Sequence, residues 1–150
     1  MRRALKLAEE AAWAEEVPVG AVIVRGGKVV AEARNEVEAL GDPTAHAEML
    51  AIRRAAGGPS RPRLEGAALY TTLEPCAMCA GAVLLARVDR LVFAARDPKG
   101  GCAGSLYDLL TDPRFNHRVA VAKGPLAEES AGLLQAFFRA RRNAGGETRG

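Results

Sequence analysis

The sequence predicts an α/β protein whose mixed β-sheet carries helices on both faces. Two apolar, β-branched runs flank Gly26-Gly27, and two glycines accept the positive φ angles of a tight hairpin turn. Helical and strand patterns alternate along the rest of the chain, which is typical of a sheet covered by helices. The length of 150 residues suits one domain with its own core, so we expect a single domain over residues 1–150.

The predicted elements follow one another without an internal repeat or linker. In order they are a helix over 1–15, strands over 21–24 and 28–34, a helix over 45–56, a strand over 67–73, a helix over 76–87, a strand over 91–95, a glycine-rich loop over 97–105, a helical turn over 106–110, a strand over 119–121 and a helix over 126–143. Residues 60–65 are predicted to form a basic surface loop, and residues 144–150 a flexible tail. We expect Trp13 to pack the first helix onto the sheet, and Thr44 to be the N-cap of the helix over 45–56. The helix over 76–87 is apolar nearly all round, so we expect it to be buried rather than amphipathic.

Composition and charge exclude several classes of protein. Apolar residues make up 49% of the chain and charged residues 26%, which is ordinary for a soluble domain. No apolar run approaches the roughly 20 residues of a membrane span, and the N-terminal residues lack the pattern of a signal peptide. We therefore expect a cytoplasmic protein with no membrane partner. The net charge of +3 does not by itself imply a nucleic-acid partner.

The segment that organises the chemistry is Pro75-Cys76-Ala77-Met78-Cys79. Two cysteines three residues apart lie on one face of a helix, and Pro75 is suited to the first helical position. At a helix N-terminus the macrodipole favours thiolate over thiol. An odd total of three cysteines points away from a disulfide framework.

His46 completes a set of zinc ligands with Cys76 and Cys79. Three protein ligands leave one coordination position open, as in catalytic zinc sites, whereas a structural site normally has four. Cys102 could be a fourth ligand that closes the site, but its position in a loop favours an incidental free thiol.

Glu48 lies on the helical stripe that should face the core. A buried carboxylate is costly unless it is paired or has a chemical role. The alternative is a glutamate satisfied by a backbone amide. His46 and Glu48 are two residues apart, so they can meet at one site only in the first turn of their helix.

The His-x-Glu and Pro-Cys-x-x-Cys motifs together form the pattern of zinc nucleobase deaminases. Further segments extend the likeness over nearly the whole chain, and they comprise residues 16–22, 42–48, 72–82, 95–99, 103–106, 116–119 and 137–142. On these residues the chain resembles the bacterial tRNA-specific adenosine deaminase family, within the cytidine and deoxycytidylate deaminase superfamily. The first helix lacks a few leading residues of longer relatives, on which we expect activity not to depend.

The resemblance implies a three-layer α/β/α cytidine-deaminase-like fold with a mixed five-stranded sheet. It implies one zinc ion per subunit, held by His46, Cys76 and Cys79, and a homodimer that binds the anticodon loop of tRNA. The implied reaction is hydrolytic deamination of adenosine to inosine at the wobble position. In the family the zinc supplies an activated hydroxide, and Glu48 carries protons to N1 of adenine and to the departing amine.

The resemblance also implies a set of substrate contacts, for each of which the residues alone allow a simpler interpretation. Asn35 could be a turn former, Asp97 a turn residue before a proline, and His117 the donor or acceptor of a local hydrogen bond. At least one ring of Phe137 and Phe138 is expected to belong to the core rather than to stack on a base. The implied contacts are Gly20, Ala21, Asn35, Asp97, Asn116, His117, Arg139, Arg141 and Arg142, of which the three arginines could equally be a solvated helix end.

Two other functions share the metal motif. A deaminase of a free base or nucleotide, such as guanine, cytosine or CMP, would need the same zinc ligands and Glu48 but none of the RNA contacts. A non-catalytic, zinc-stabilised RNA-binding module would need the ligands without a proton carrier.

Overall fold

The computed structural model describes residues 1–57, 59 and 62–146. Part of the predicted 60–65 loop and the last four residues of the predicted tail lie outside these residues. Residues 144–146 belong to the C-terminal helix, so the predicted tail begins too early.

Five strands form one mixed sheet, in the order β2-β1-β3-β4-β5. The strands are β1 (Gly20–Arg25), β2 (Lys28–Arg34), β3 (Ala67–Leu73), β4 (Arg90–Ala95) and β5 (Ala120–Lys123). β1 is antiparallel to both β2 and β3, whereas β3, β4 and β5 run parallel to one another. The predicted mixed sheet is therefore confirmed.

The hairpin between β1 and β2 forms as the glycine pair predicts. Gly26 and Gly27 have φ angles of 58° and 74°, which side chains other than glycine rarely adopt. The register shifts once, between Ile23 and Val24, and such a bulge increases the local twist of the pair.

The described residues form five helices, which are α1 (Arg2–Trp13), α2 (Val37–Leu40), α3 (Ala47–Ala56), α4 (Ala77–Ala86) and α5 (Ala127–Gly146). Four of them, all but α2, pack in two groups on the sheet. α1 contacts α5, and α3 contacts α4, while both groups contact the sheet or share its core. The arrangement is the three-layer α/β/α architecture that the resemblance implied. Within the described residues, every helix is too short or too polar to span a membrane.

Different kinds of residue cover the two faces of the sheet. On the α3–α4 side, Ile23, Leu69 and Phe93 lie in the main apolar core and are almost fully buried. On the other side α1 presents a buried stripe of Ala4, Ala8 and Ala11. Small residues at this spacing allow the helix backbone to approach the sheet closely.

Two predictions about burial are wrong. Trp13 is 84% exposed, because it lies off the alanine stripe by which α1 packs. The helix after the cysteine motif is not buried all round, since Leu85 of α4 is also 84% exposed.

The predicted helical turn over residues 106–110 does not form. The N–H groups of Leu106 and Leu109 donate instead to the carbonyls of Gly101 (2.9 Å) and Cys102 (3.1 Å). The segment is therefore folded back on the preceding loop rather than hydrogen-bonded within itself. Helix α2, which has four residues, was not predicted from the sequence.

Candidate metal centre and active-site cavity

The metal centre lies where the N-termini of α3 and α4 meet. His46 is the N-cap of α3, Cys76 is the N-cap of α4, and Cys79 lies in the first turn of α4. His46 Nδ1 is 3.7 Å from Cys76 Sγ and 3.5 Å from Cys79 Sγ. All three ligand atoms lie within 4.8 Å of one another. The structure thus brings together the three predicted ligands.

Both helices begin later than the sequence predicts. Thr44 is not an N-cap, because its hydroxyl and its N–H both donate to Asp42 Oδ1, and Pro75 precedes α4 rather than opening it. Because each helix begins later, His46 and Cys76 occupy the two N-cap positions, next to the free backbone N–H groups of the first turn.

The donor set fits zinc in kind and in spacing. One imidazole nitrogen and two thiols are ligands that zinc prefers, and tetrahedral bonds of ordinary length place such atoms about 3.6 Å apart. The observed N···S distances bracket that value. Three ligands leave a position for water or substrate.

Cys102 does not belong to this group of ligands. Its thiol faces the Gly100 carbonyl oxygen at 3.7 Å, which agrees with its interpretation as a separate free thiol.

The pKa values of the Cys76 and Cys79 thiols are shifted in opposite directions. A hydrogen bond from Cys79 and another with His46 lower the pKa of Cys76 to about 4. The pKa of Cys79 is raised, because its proton is shared with Cys76 and because the thiol is buried. The hydrogen bond to Cys76 also raises the pKa of His46. The thiolate form, which is the form that binds metal, is therefore favoured at Cys76.

Glu48 is buried beside this centre, as its place on the core-facing stripe predicts. It is 4% exposed, and the Thr71 hydroxyl lies 3.4 Å from its Oε1. Burial raises the pKa of Glu48 above its ordinary value. A carboxyl group with a raised pKa can both accept and release a proton near neutral pH.

A cavity of about 430 Å³ opens onto the metal centre, a size within the roughly 300–1,000 Å³ of small-molecule sites. His46, Glu48 and Cys76 line it together. Several other segments complete its wall, and they contribute Glu16, Val17, Val19, Asn35, Val37, Glu38, Pro43, Leu73, Glu74, Asp97, Leu134, Phe138 and Arg141.

Glu16 is a buried carboxylate that the sequence analysis did not single out. It is 1% exposed and accepts hydrogen bonds from Asn35 Nδ2 (3.1 Å) and from the N–H groups of Glu38 (3.1 Å) and Ala39 (2.7 Å). It therefore fixes the Asn35 amide in the cavity wall and holds the start of α2. The available signal was an acidic residue directly before the apolar run that leads into β1.

Glu74, between β3 and the cysteine motif, was missed in the same way. It is 1% exposed and accepts from the N–H groups of Asp97, Ala103 and Ser105 and from the Ser105 hydroxyl. Burial raises the pKa of Glu74, but these hydrogen bonds outweigh it, so the pKa lies below its ordinary value.

Three of the predicted substrate residues line the cavity, namely Asn35, Asp97 and Arg141. Asp97 is also a turn residue, since its Oδ1 accepts from the N–H groups of Lys99 and Gly100, each at 3.1 Å. Arg139 and Arg142 lie in an adjoining groove with Lys99, and both Asp97 and Phe138 line this groove as well as the cavity. We call this second feature the arginine groove.

The two phenylalanines of α5 have different surroundings. Phe138 is 42% exposed and lines the cavity, so it is not a core residue. Phe137 supports Arg141, whose guanidinium lies 4.6 Å from the ring centroid. Arg141 also donates to the Glu15 carbonyl at 2.7 Å, which ties α5 to the end of α1 at the cavity wall.

Four predicted contacts are not brought into the cavity. Gly20 faces α1, where an added Cβ would lie 2.0 Å from the Ala4 carbonyl oxygen, and Ala21 is fully buried in the core. Asn116 and His117 line a separate groove beside Leu85. His117 Nε2 lies 2.7 Å from the Val88 carbonyl oxygen, as the local interpretation expected.

Comparison with known proteins identifies relatives along almost the whole chain. Residues 1–95 match the family model described as the cytidine and deoxycytidylate deaminase zinc-binding region. The chain is 53% identical to the tRNA-specific adenosine deaminase of Bacillus subtilis (strain 168) over 139 residues, which are 93% of this chain and 86% of that protein.

Two solved structures share the fold. One comes from studies of A-to-I editing by tRNA:A34 deaminases at the wobble position of transfer RNA; it is 45% identical, with a TM-score of 0.85 over 89% of this chain and 97% of that one. The other is a guanine deaminase from Nitrosomonas europaea, 25% identical, with a TM-score of 0.73 over 91% and 81%.

Replacing Cys79 by Ser should remove zinc binding, because it deletes one of three ligands. We expect about one zinc per wild-type chain, in keeping with a single three-ligand site, and well below half of that after dialysis of the variant. Metal content is measured by elemental analysis of purified protein. Cys102→Ser is the matched control and should retain its zinc. Equal loss from both variants, or no zinc in the wild type, would contradict the assignment.

Proposed function

We propose that the chain has the activity of its family. The chain belongs to the cytidine and deoxycytidylate deaminase family and, within it, to the tRNA-specific adenosine deaminases. The proposed reaction is hydrolytic deamination of adenosine to inosine at position 34, the wobble position of tRNA named for the structural relative. Water is consumed and ammonia is released. The proposed place of action is the cytoplasm, with tRNA as the partner.

The observation that most supports this function is a buried Glu48 that lines the same cavity as His46 and Cys76, two of the three residues that could hold zinc. A structural zinc site has no need for a carboxylate beside it or for a cavity of substrate size. When bound, zinc acts as a Lewis acid that lowers the pKa of a coordinated water toward about 7. His46, Cys76 and Cys79 would hold it there.

Glu48 is the proposed proton carrier. Its carboxylate accepts a proton from the attacking water and donates it to N1 of adenine as the C6–O bond forms. It then accepts the remaining proton of the added C6 hydroxyl and donates it to the exocyclic nitrogen, as the C6 carbonyl forms, the C6–N bond breaks and ammonia leaves. Burial suits the group to this work, since it raises the pKa of the carboxyl.

The cavity wall offers a means of orienting the nucleoside. Glu16 accepts a hydrogen bond from Asn35 Nδ2, so the amide cannot rotate freely and its Oδ1 is presented away from Glu16. A fixed amide is a suitable contact for the nucleoside. We propose that Asn35 holds the substrate and that Glu16 holds Asn35.

The arginine groove supports an RNA substrate rather than a free base. Arg139, Arg142 and Lys99 line a groove that shares Asp97 and Phe138 with the cavity. Cationic side chains at this position can neutralise phosphates next to a base that has entered the cavity. A base in a single-stranded loop is unstacked at little cost. A deaminase of free guanine or cytosine has no use for such a groove.

Replacing Glu48 by Gln should lower inosine formation by about a hundred- to ten-thousand-fold, because the amide cannot carry the protons. Zinc content and the melting temperature should change little. Turnover is measured on a zinc-loaded enzyme with an anticodon stem-loop RNA. Glu65→Gln, at a side chain that is 64% exposed, is the matched control. Unchanged turnover in Glu48→Gln would eliminate the proton-carrier role, and no deamination by the wild type would favour a non-catalytic module.

Replacing Arg139 and Arg142 together by Gln should weaken stem-loop binding and reduce its salt dependence. Each lost phosphate contact lowers the slope of log K against log salt by about one. Arg141 is left in place because it is already bonded to the Glu15 carbonyl. The control removes the same charge from α1, by Arg2→Gln and Lys6→Gln. Equal effects of both double variants would indicate nonspecific attraction, and unchanged turnover on RNA would favour a free-base deaminase.

We also propose a homodimer formed through the face of α4 that the sheet leaves uncovered. Leu85 is 84% exposed and Phe115 is 45% exposed, and they line one groove of about 480 Å³. Apolar side chains that share an exposed groove favour a protein contact. The resemblance implied a second copy of this chain as the occupant.

Replacing Leu85 by Glu should convert the dimer to a monomer, because it places a charge at the centre of the proposed contact. The mass in solution is measured by light scattering after size exclusion. Trp13→Glu is the control, since Trp13 is equally exposed, at 84%, but lies on α1. A wild-type monomer, or a Leu85→Glu dimer, would contradict the assignment of this face.

A further inference from the structure

Asp97, the first residue of the loop over 97–105 that follows β4, forms part of the cavity wall. Asp97 is the residue by which this loop reaches both the cavity and the arginine groove. The loop has no regular secondary structure of its own beyond the isolated bridge from Ala103 to Asp108. Its position must therefore be set by contacts with other parts of the chain.

A single carboxylate, that of Glu74, holds both ends of the loop. Its Oε2 accepts from the Asp97 N–H at 2.9 Å and from the Ser105 hydroxyl. Its Oε1 accepts from the N–H groups of Ala103 at 3.1 Å and Ser105 at 2.9 Å. The side chain is 1% exposed, so water does not compete for these bonds.

The loop is also seated against the ligand segment itself. The Cys102 N–H donates to the Pro75 carbonyl at 2.8 Å. At Gly101 an added Cβ would lie 2.3 Å from the Glu74 carboxylate, so only glycine allows this approach. Glu74, Pro75 and Cys76 are consecutive, so the loop is attached directly to the segment that supplies a metal ligand.

We propose that Glu74 is a positioning residue for the substrate. By fixing Asp97 relative to Cys76, it sets the position of the cavity wall against which the nucleotide binds. It therefore determines substrate affinity rather than the rate of the chemical step. This proposal rests on the proposed function, because it assumes that the cavity binds a nucleotide.

Glu74→Gln is a selective test, because an amide has one acceptor oxygen where the carboxylate has two. The oxygen of Gln can still accept from Ala103 and Ser105, and its NH₂ can donate to the Ser105 hydroxyl. The NH₂ then faces the Asp97 N–H, so that one bond is lost. The opposite orientation would lose two. The substitution thus releases Asp97 while leaving the other end of the loop attached.

We expect Glu74→Gln to raise KM for an anticodon stem-loop RNA by about tenfold with kcat within about twofold, since one buried hydrogen bond that orients the wall is lost. Zinc content should not change. Amide hydrogen exchange, followed without RNA, should be faster at Asp97 but unchanged at Ala103. A structural role alone would lower the melting temperature and leave KM and the Asp97 exchange unchanged, and that result would overturn the proposal.

A pair of serine variants provides a matched control and a second test. Ser105→Ala removes one of the four donors to Glu74 and should raise KM by about two- to threefold. Ser130→Ala deletes the same group at a buried hydroxyl that has no hydrogen-bond partner among the described residues, and it should not change KM. If Glu74→Gln does not fold, this pair decides, and equal KM values for both variants would overturn the proposal.

The two proposals fail in different ways. A wild-type enzyme that makes no inosine overturns the proposed function, and with it the substrate role of Glu74. Unchanged exchange at Asp97 in Glu74→Gln overturns the attachment of the loop alone, whatever the activity of the enzyme.

Discussion

The contact between α3 and α4 sets the distance between His46 and the two cysteine sulfurs, and the chemistry of the cavity depends on that distance. His46 Nδ1 lies 3.5 Å from Cys79 Sγ only because both helices begin at the same edge of the sheet. Ligands at helix N-termini are stabilised as anions by the backbone N–H groups. His46 and Cys76 also line the cavity, so a metal held by these ligands would be accessible from it.

Three buried carboxylates surround this centre, and each has a different task. Burial of an unpaired carboxylate is costly, so the donors of each indicate what it does. Glu16 and Glu74 are saturated by backbone and side-chain donors, which makes them fixed parts of the wall. Glu48 lies two residues after His46 and lines the same cavity, and burial raises its pKa. Its carboxylate, the proposed proton carrier, has fewer hydrogen-bond donors than either of the other two.

The features that depend on local sequence could be predicted, and those that depend on distant partners could not. The hairpin, the bounds of β3 and the His46–Cys76–Cys79 group follow from turn chemistry, periodicity and ligand type. Helix α2 could not be predicted, because the N–H groups at its start are held by Glu16 from another part of the chain. The 106–110 segment is non-helical for a similar reason, as its N–H groups bond to the preceding loop.

Within the site, residue chemistry identified the three ligands and the proposed proton carrier but not the supporting residues. A family likeness named Asn35 and Asp97, and both line the cavity. It also named Asn116 and His117, which lie in a different groove of the single chain. The account is tested most directly by incubating zinc-loaded enzyme with an anticodon stem-loop RNA in water labelled with the heavy oxygen isotope, then analysing the nucleosides by mass spectrometry. It predicts labelled inosine at the wobble position and no product from free guanine or cytidine; an unchanged wobble adenosine, or deamination of the free bases instead, would contradict it.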